Sequence, residues 1–395
     1  MSAFTIARFM ANKSGTIQGL LKSPAVPLTL CRRCLALWGF NKPDEWKKTV
    51  MDAEKLVGYS TSLLSLRCIF SDELANVAMQ VGKLVGTKHP LLHTARTFIW
   101  DDKQGPQTRG LIILLLSKAA GPSNHPDKMP DFDREMVCGI YQSQRNLAEI
   151  AEMIYAANLI HKGVVNLAEV KPADGMMKDM EFGNKMSVLS GDFFLANAST
   201  ALADLENTKV VEIIASAIGD LMQAEFTGLT DKSGCPVLKT TTTMDNWYEQ
   251  TFLSAGSLVA KSCKAAMELA KHSQDVQEKA FNFGKYLTFA RQLNEDLQPY
   301  ISEDGGSAPF NPTSAPSVLY AMGGDQDRVD FLNNCAKTTS GKMQALKLIS
   351  KSKALEETKR LCREHGQKAV EAIKDFPISD TRTVLQKMAQ VTTNV

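Results

Sequence analysis

From Asp44 onward, apolar side chains return at every third or fourth position with few interruptions, and this periodicity restricts the chain to a helical fold. Residues 50–84 show it first, with Val50, Ala53, Leu56 and Val57, then Leu63, Ile69, Leu74 and Val77. A compact apolar helix is predicted over 109–120, stopped by Gly121-Pro122. Further helices are predicted over 133–169, 185–205, 209–226, 244–272, 274–300, 327–350 and 353–374, with a last one opening at Ser379-Asp380-Thr381 and running to about 391. The breakers between them are a Pro-rich loop at 121–132, a long loop at 227–243 and a third at 302–316. No run of alternating β-branched residues is bounded by turns, so no sheet is expected. No internal repeat of fixed period stands out. The economical solution is one all-α domain over 44–395, many helices sharing a core.

Composition narrows the function classes. With 44% hydrophobic and 22% charged residues in 395, the chain has the make-up of a soluble globular protein. A formal net charge of +2 gives no electrostatic case for nucleic acid or for a polybasic membrane surface. The apolar run Leu111–Leu116 is too short to span a bilayer, which leaves peripheral membrane contact at most. Of the 8 cysteines only Cys31 and Cys34 form a CxxC pair, and no second pair or nearby His completes a zinc set. The cysteines read as free thiols in a reducing compartment.

Residues 1–43 are different in kind. They contain Arg8, Lys13, Lys22, Arg32, Arg33 and Lys42 and no acid. Ile6, Phe9 and Met10 supply an apolar helical face beside Arg8. Basic, acid-poor and amphipathic is the composition of a mitochondrial presequence, whereas a secretory signal needs a continuous apolar core that Lys13, Lys22 and Pro24 interrupt. The expectation is a matrix protein whose targeting segment occupies 1–43.

Within the helical part, the stretch at 142–161 stacks Leu147, Ile150, Ile154, Ala157 and His161 along one side, ordinary for a core helix. Its string E-x-x-x-A-x-x-L-I-H at 152–161 resembles what precedes the first aspartate motif of the trans-polyprenyl diphosphate synthases. Other strings follow in that family's order. Residues 182–198 resemble its glycine-aspartate segment, centred on Gly191-Asp192, and Ala224-Glu225 stands at its Gly-Glu. Residues 254–263 resemble the helix of its Lys-Thr motif, 283–300 the helix of its second aspartate motif, and 314–322 its late Leu-Pro segment. The resemblance covers roughly 50–395, and several matches in order are more specific than any one.

The resemblance implies an isoprenoid-synthase-like bundle of many helices around a central cavity. In that family two D-D-x-x-D motifs hold Mg²⁺ ions, which bind the diphosphate of an allylic substrate and help it leave. Basic side chains anchor the second substrate, isopentenyl diphosphate. This chain departs from the pattern at nearly every charged position. The first motif falls on Lys162, Gly163, Val164, Val165 and Asn166, with no carboxylate. The second falls on Glu295, Asp296, Leu297, Gln298 and Pro299, where two acids remain as candidate metal ligands. The basic clamp falls on Gly105, Pro106, Gln107, Thr108 and Arg109, so Arg109 alone keeps its charge. The Lys-Thr pair falls on Ser254 and Ala255, and the aromatic residue before Gln292 is Arg291. Arg109 and Gln292 are the candidate diphosphate contacts. Plainer readings stand beside these: Glu295 and Asp296 as a solvated helix end, and Arg109 as a structural ion pair or cap. Ala157 and Asn158 lie where family members gauge chain length.

Losing one donor to a developing charge typically costs about 3 kcal/mol of transition-state stabilisation, and here a whole carboxylate cluster is missing. The resemblance therefore implies a chain kept for fold and packing, with no metal expected on it and Mg²⁺ held by a catalytic partner. The expected role is the regulatory or structural subunit, inactive alone, of a heteromeric synthase of decaprenyl type, two plus two with the catalytic subunit, handling prenyl diphosphates for the ubiquinone side chain. Two rivals remain: an active prenyltransferase with a divergent metal site, and a non-enzymatic binder of prenyl lipids.

Overall fold

The computed structural model describes residues 43–58, 79–100, 108–123, 133, 135–231, 235–301, 310–322 and 326–394. The targeting expectation up to residue 42, the helix over 59–78, Gly105–Gln107 and the CxxC pair lie outside the described residues.

Fourteen α-helices are seen among the described residues. In chain order they are α1 (Pro43–Val57), α2 (Pro90–Trp100), α3 (Thr108–Ala120), α4 (Gln142–His161), α5 (Met177–Ala203), α6 (Thr208–Thr227), α7 (Met244–Thr251), α8 (Ser257–Leu269), α9 (Gln274–Ile301), α10 (Ala315–Met322), α11 (Gln326–Cys335), α12 (Thr339–Ser350), α13 (Lys353–Ala372) and α14 (Asp380–Thr392). The all-α expectation holds.

Several elements differ from the sequence reading: α2 and α10 are absent from the expected helices, and α10 begins inside the loop expected over 302–316. The helix expected over 133–169 is α4 alone, preceded by a two-stranded antiparallel hairpin, β1 (Met136–Val137) and β2 (Ile140–Tyr141). Its turn residues Cys138 and Gly139 both have positive φ, the twist a two-residue hairpin requires. The segment is too short to show period-two alternation, which is why it read as helix. The segment expected to be helical from 185 begins instead at Met177, and the run over 327–350 breaks into α11 and α12, where Thr338 caps α12 by accepting from Gly341 N at 3.0 Å. Ser379 caps α14 by accepting from Arg382 N at 3.2 Å, as its position predicts.

The core follows from which helices are apolar all round. In α3 every residue from Thr108 to Ser117 is buried, the pattern of a helix enclosed by others. It packs against α1, α4, α8 and α14. Helix α8 touches α3, α4, α6 and α9, and α9 lies along α13. Gly284 allows the close approach of α9 to α8: a Cβ there would stand 2.9 Å from Ala260 Cα. A second apolar cluster gathers at the C-terminal end of α9 around Trp247, Leu293, Leu297, Val318, Leu332 and Ile349.

Candidate functional site

The first candidate corner lies where α4 ends. His161 closes the helix and its Nε2 stands 3.1 Å from Asp192 Oδ1 on α5. The ring fits because Gly191 has no side chain: a Cβ there would lie 2.2 Å from it. Lys162, the C-cap of α4, places its ammonium 2.6 Å from Glu225 Oε1 on α6. The first-motif position therefore carries an internal ion pair. Gly163 turns the chain where a Cβ would stand 2.9 Å from Ile160 O.

The strand of chain beyond it is pinned from α5. Asn184 accepts from Val165 N and donates to Val165 O, both at 2.8 Å. Asn184 Oδ1 also lies 3.1 Å from His89 Nε2, while His89 Nδ1 accepts from Leu91 N at 3.2 Å. That pair of bonds fixes a neutral imidazole with its proton on Nε2. Burial holds the pKa of His89 below its ordinary value, consistent with that form. Asn166 caps a short 3₁₀ turn, accepting from Ala168 N at 3.2 Å and donating to Glu169 at 2.9 Å.

The second corner is the C-terminal half of α9. Asp296 is buried, so it is no solvated helix end. Its Oδ2 accepts from the indole of Trp247 at 3.0 Å and from Ala315 N at 2.7 Å, and its Oδ1 accepts from Gln292 at 3.0 Å. The carboxylate thus caps the N-terminus of α10 and anchors α7 to α9. Glu295 is half-buried, and burial pushes its carboxyl well above the usual carboxylate range against the attraction of Arg291, one turn back.

Between α3, α4 and α9 the space is occupied by charged side chains and rings. Arg109 is almost fully buried and lays its guanidinium 3.3 Å over the ring of Tyr155. Glu152, one turn back on α4, accepts from Gly110 N at 2.7 Å. Burial raises the pKa of Glu152 to about 7, opposed by the charge of Arg109. Arg291 donates to Thr108 at 3.4 Å and sits 4.6 Å over Trp46 of α1. Burial lowers the pKa of Arg291, with Glu295 opposing and Arg109 adding to the shift. Arg109, Arg291 and Glu295 are thus brought together, whereas Lys162, Gly163 and Asn166 belong to the α4–α5–α6 corner.

The Lys-Thr position has a local irregularity. Ser254 and Ala255 fall in a π-helical turn, Phe252–Gly256, that joins α7 to α8. The nearest cationic pairing on α8 is Lys261, 2.6 Å from Asp220, which also accepts a hydrogen bond from Ser257. Sequence reasoning missed Glu152, Asn184 and Asp220. Glu152 alone left a signal, a charge amid the apolar residues of α4.

The polyprenyl synthetase family profile matches residues 91–305. The chain is also 48% identical to "All trans-polyprenyl-diphosphate synthase PDSS2" of Rattus norvegicus, over 88% of this chain and 86% of that one. The chain belongs to the polyprenyl synthetase family. It is 31% identical to "Decaprenyl-diphosphate synthase subunit 1" of Schizosaccharomyces pombe, covering 84% of this chain and 91% of that one. It is 29% identical to a "Probable hexaprenyl pyrophosphate synthase, mitochondrial" of Neurospora crassa, covering 81% and 79%. The crystal structure of a decaprenyl diphosphate synthase from Rhodobacter capsulatus shares the fold, with a TM-score of 0.64 at 18% identity over 89% of this chain and 98% of that one.

The Mg²⁺ ions that the family resemblance implies do not fit the side chains present. Among the described residues no three His, Cys, Asp or Glu converge as a donor set. Both oxygens of Asp296 already accept hydrogen bonds, and Lys162 puts an ammonium where cations would have to sit.

Proposed function

We propose that this chain is the non-catalytic, structural or regulatory subunit of a heteromeric trans-polyprenyl diphosphate synthase, making the ubiquinone side chain in mitochondria. The observation that carries this reading is the commitment of both aspartate-motif positions to internal bonds: Lys162 to Glu225, and Asp296 to Trp247, Gln292 and Ala315. A fold that keeps its helical frame while turning its ligand positions into packing and caps serves another chain's chemistry. The relative named as a subunit of decaprenyl diphosphate synthase supports assembly with a prenyltransferase chain. We further propose a two-plus-two assembly in which the partner binds Mg²⁺ and the prenyl diphosphates. Mitochondrial residence is supported by the acid-free, basic composition of residues 1–43 and by the relative named mitochondrial; the matrix is the compartment we propose.

Incorporation of labelled isopentenyl diphosphate onto a short allylic primer with Mg²⁺ tests the reading. This chain alone, a catalytic partner alone and the two co-expressed are compared. Activity confined to the co-expressed sample is expected. Prenyl transfer by this chain alone, or an unchanged rate in an already active partner, would overturn it.

A further inference from the structure

The charge of the chain is nearly balanced overall, but not locally. Between Asp330 and Glu356 there is no acidic residue, while Lys337, Lys342, Lys347, Lys351 and Lys353 all fall there. This stretch runs from the end of α11 through α12 to the first turn of α13, which Lys353 opens. Elsewhere lysines such as Lys162, Lys261, Lys264, Lys279 and Lys368 hold a carboxylate within 3 Å. Among the described residues none of the five has such a partner; Lys337 alone makes a side-chain bond, to the amide of Asn334 at 3.0 Å.

The packing of α12 fixes which side it shows. Ala345 and Ile349 are fully buried, in the cluster at the end of α9. The opposite strip runs through Met343, Lys347 and Lys351 at four-residue spacing, with Gln344 and Leu348 beside it. Met343 is 57% and Leu348 40% exposed, so the outward face combines unpaired cations with two apolar side chains. Among the described residues no helix is long and apolar enough to cross a membrane.

We propose that α12 and its flanking turns form a docking face for an anionic bilayer surface. The helix lies flat, its lysines over lipid phosphates and Met343 and Leu348 entering the headgroup layer. Charge complementarity selects this occupant. Protein interfaces are depleted in lysine at their centres and anchored by aromatics and arginine, and this face has neither anchor. Single-stranded nucleic acid calls for stacking rings, also missing from this face. Unpaired lysines beside two exposed apolar side chains suit a lipid surface, which attracts each lysine separately and needs no shaped pocket. Helix α12 packs on α9 and α10, the two helices that Asp296 ties together, so docking occurs at the end of the bundle that carries the second-motif position.

Vesicle flotation of the full chain tests this, with phosphatidylcholine vesicles compared with the same vesicles containing cardiolipin. Residues 1–43 are themselves basic, so each variant is compared with wild type on an identical N-terminus. Lys347→Glu/Lys351→Glu should weaken partition onto cardiolipin vesicles by at least about tenfold, since each lysine near an anionic surface contributes roughly fivefold. Met343→Ser/Leu348→Ser should reduce the binding that survives at high salt. Hydrogen exchange across 339–351 should slow when wild type is bound. All four positions are outward-facing, and an unchanged thermal midpoint checks that the variants fold. Equal flotation of wild type and both variants, or no protection across 339–351, would overturn the proposal. So would charge reversal that spares flotation but breaks association with the catalytic chain, because α12 would then be a protein-docking face.

Discussion

Trp247 donates its indole N–H to Asp296 at 3.0 Å, and the same carboxylate oxygen receives the backbone N–H of Ala315 at 2.7 Å. One side chain on α9 therefore holds α7 and starts α10. This is a bond network within the protein, and it makes Asp296 a residue of the fold.

Asp296→Ala is accordingly expected to lower stability by about 3 kcal/mol, because it strands a buried indole N–H and a helix-terminal N–H at once. Asp296→Asn should cost less, since one amide oxygen still accepts. Thermal unfolding of the purified variants checks both. A metal ligand would give the opposite pattern, lost prenyl transfer with an unchanged melting point.

Gly191 and His161 make the second prediction. A Cβ at Gly191 would stand 2.2 Å from the imidazole, whose Nε2 is 3.1 Å from Asp192. Gly191→Ala must push the ring away and lose that contact. Overpacking of this kind costs about 1–3 kcal/mol. The comparison is Gly219→Ala on α6, where nothing lies within 4 Å and the added methyl should be neutral or stabilising. Equal melting points for the two variants would refute the close packing of α4 on α5.

The helices were legible wherever length and period agreed: α3, α9, α13 and α14 lie within two residues of the sequence reading. The hairpin before α4 was not, because two-residue strands carry no period and their turn depends on positive φ at Cys138 and Gly139. The site was half legible. Motif order located Lys162, Arg109, Glu295 and Asp296, but what each side chain bonds to depends on partners far along the chain. Lys162 finds Glu225 on α6, and Asp296 finds Trp247 on α7. A single sequence contains no signal for such pairings. Glu152 came closest, because an acid in the middle of an apolar helix must be paired or protonated when buried.

His365 gives a pH prediction. It is buried on α13 between Tyr286 and Phe289, its Nε2 3.0 Å from the hydroxyl of Tyr248. Burial lowers its pKa from 6.5 to about 4, with the charges of Lys368 and Lys285 adding to the shift and Glu364 opposing it. Between these values the unfolded chain binds the proton and the folded one does not. Its neutral form therefore supports stability above pH 6.5, and that support is lost as pH falls towards 4. His89 and His272, also lowered by burial, act in the same direction. His365→Gln should make the melting temperature less steep with pH across this window. A slope identical to wild type would show that the imidazole is not buried as described.

Arg109 and Glu152 offer the sharpest separation between a structural and a diphosphate-binding role. The guanidinium lies flat on Tyr155 at 3.3 Å, and burial of Glu152 is offset by the charge of Arg109 and by Gly110 N. Removing one member of a buried pair leaves the other uncompensated, typically at a cost of about 3–5 kcal/mol, while replacing both with neutral groups of similar volume can be nearly neutral. Arg109→Met should therefore destabilise strongly, and Arg109→Met/Glu152→Gln should recover much of the loss. Arg109→Lys should fall between, because an ammonium keeps the charge but cannot stack as a plane on Tyr155. Thermal unfolding of the three variants is read against the prenyl transfer of the co-expressed complex. A structural pair predicts that activity follows stability and returns in the double variant. Activity that stays lost while stability returns would assign Arg109 to a diphosphate.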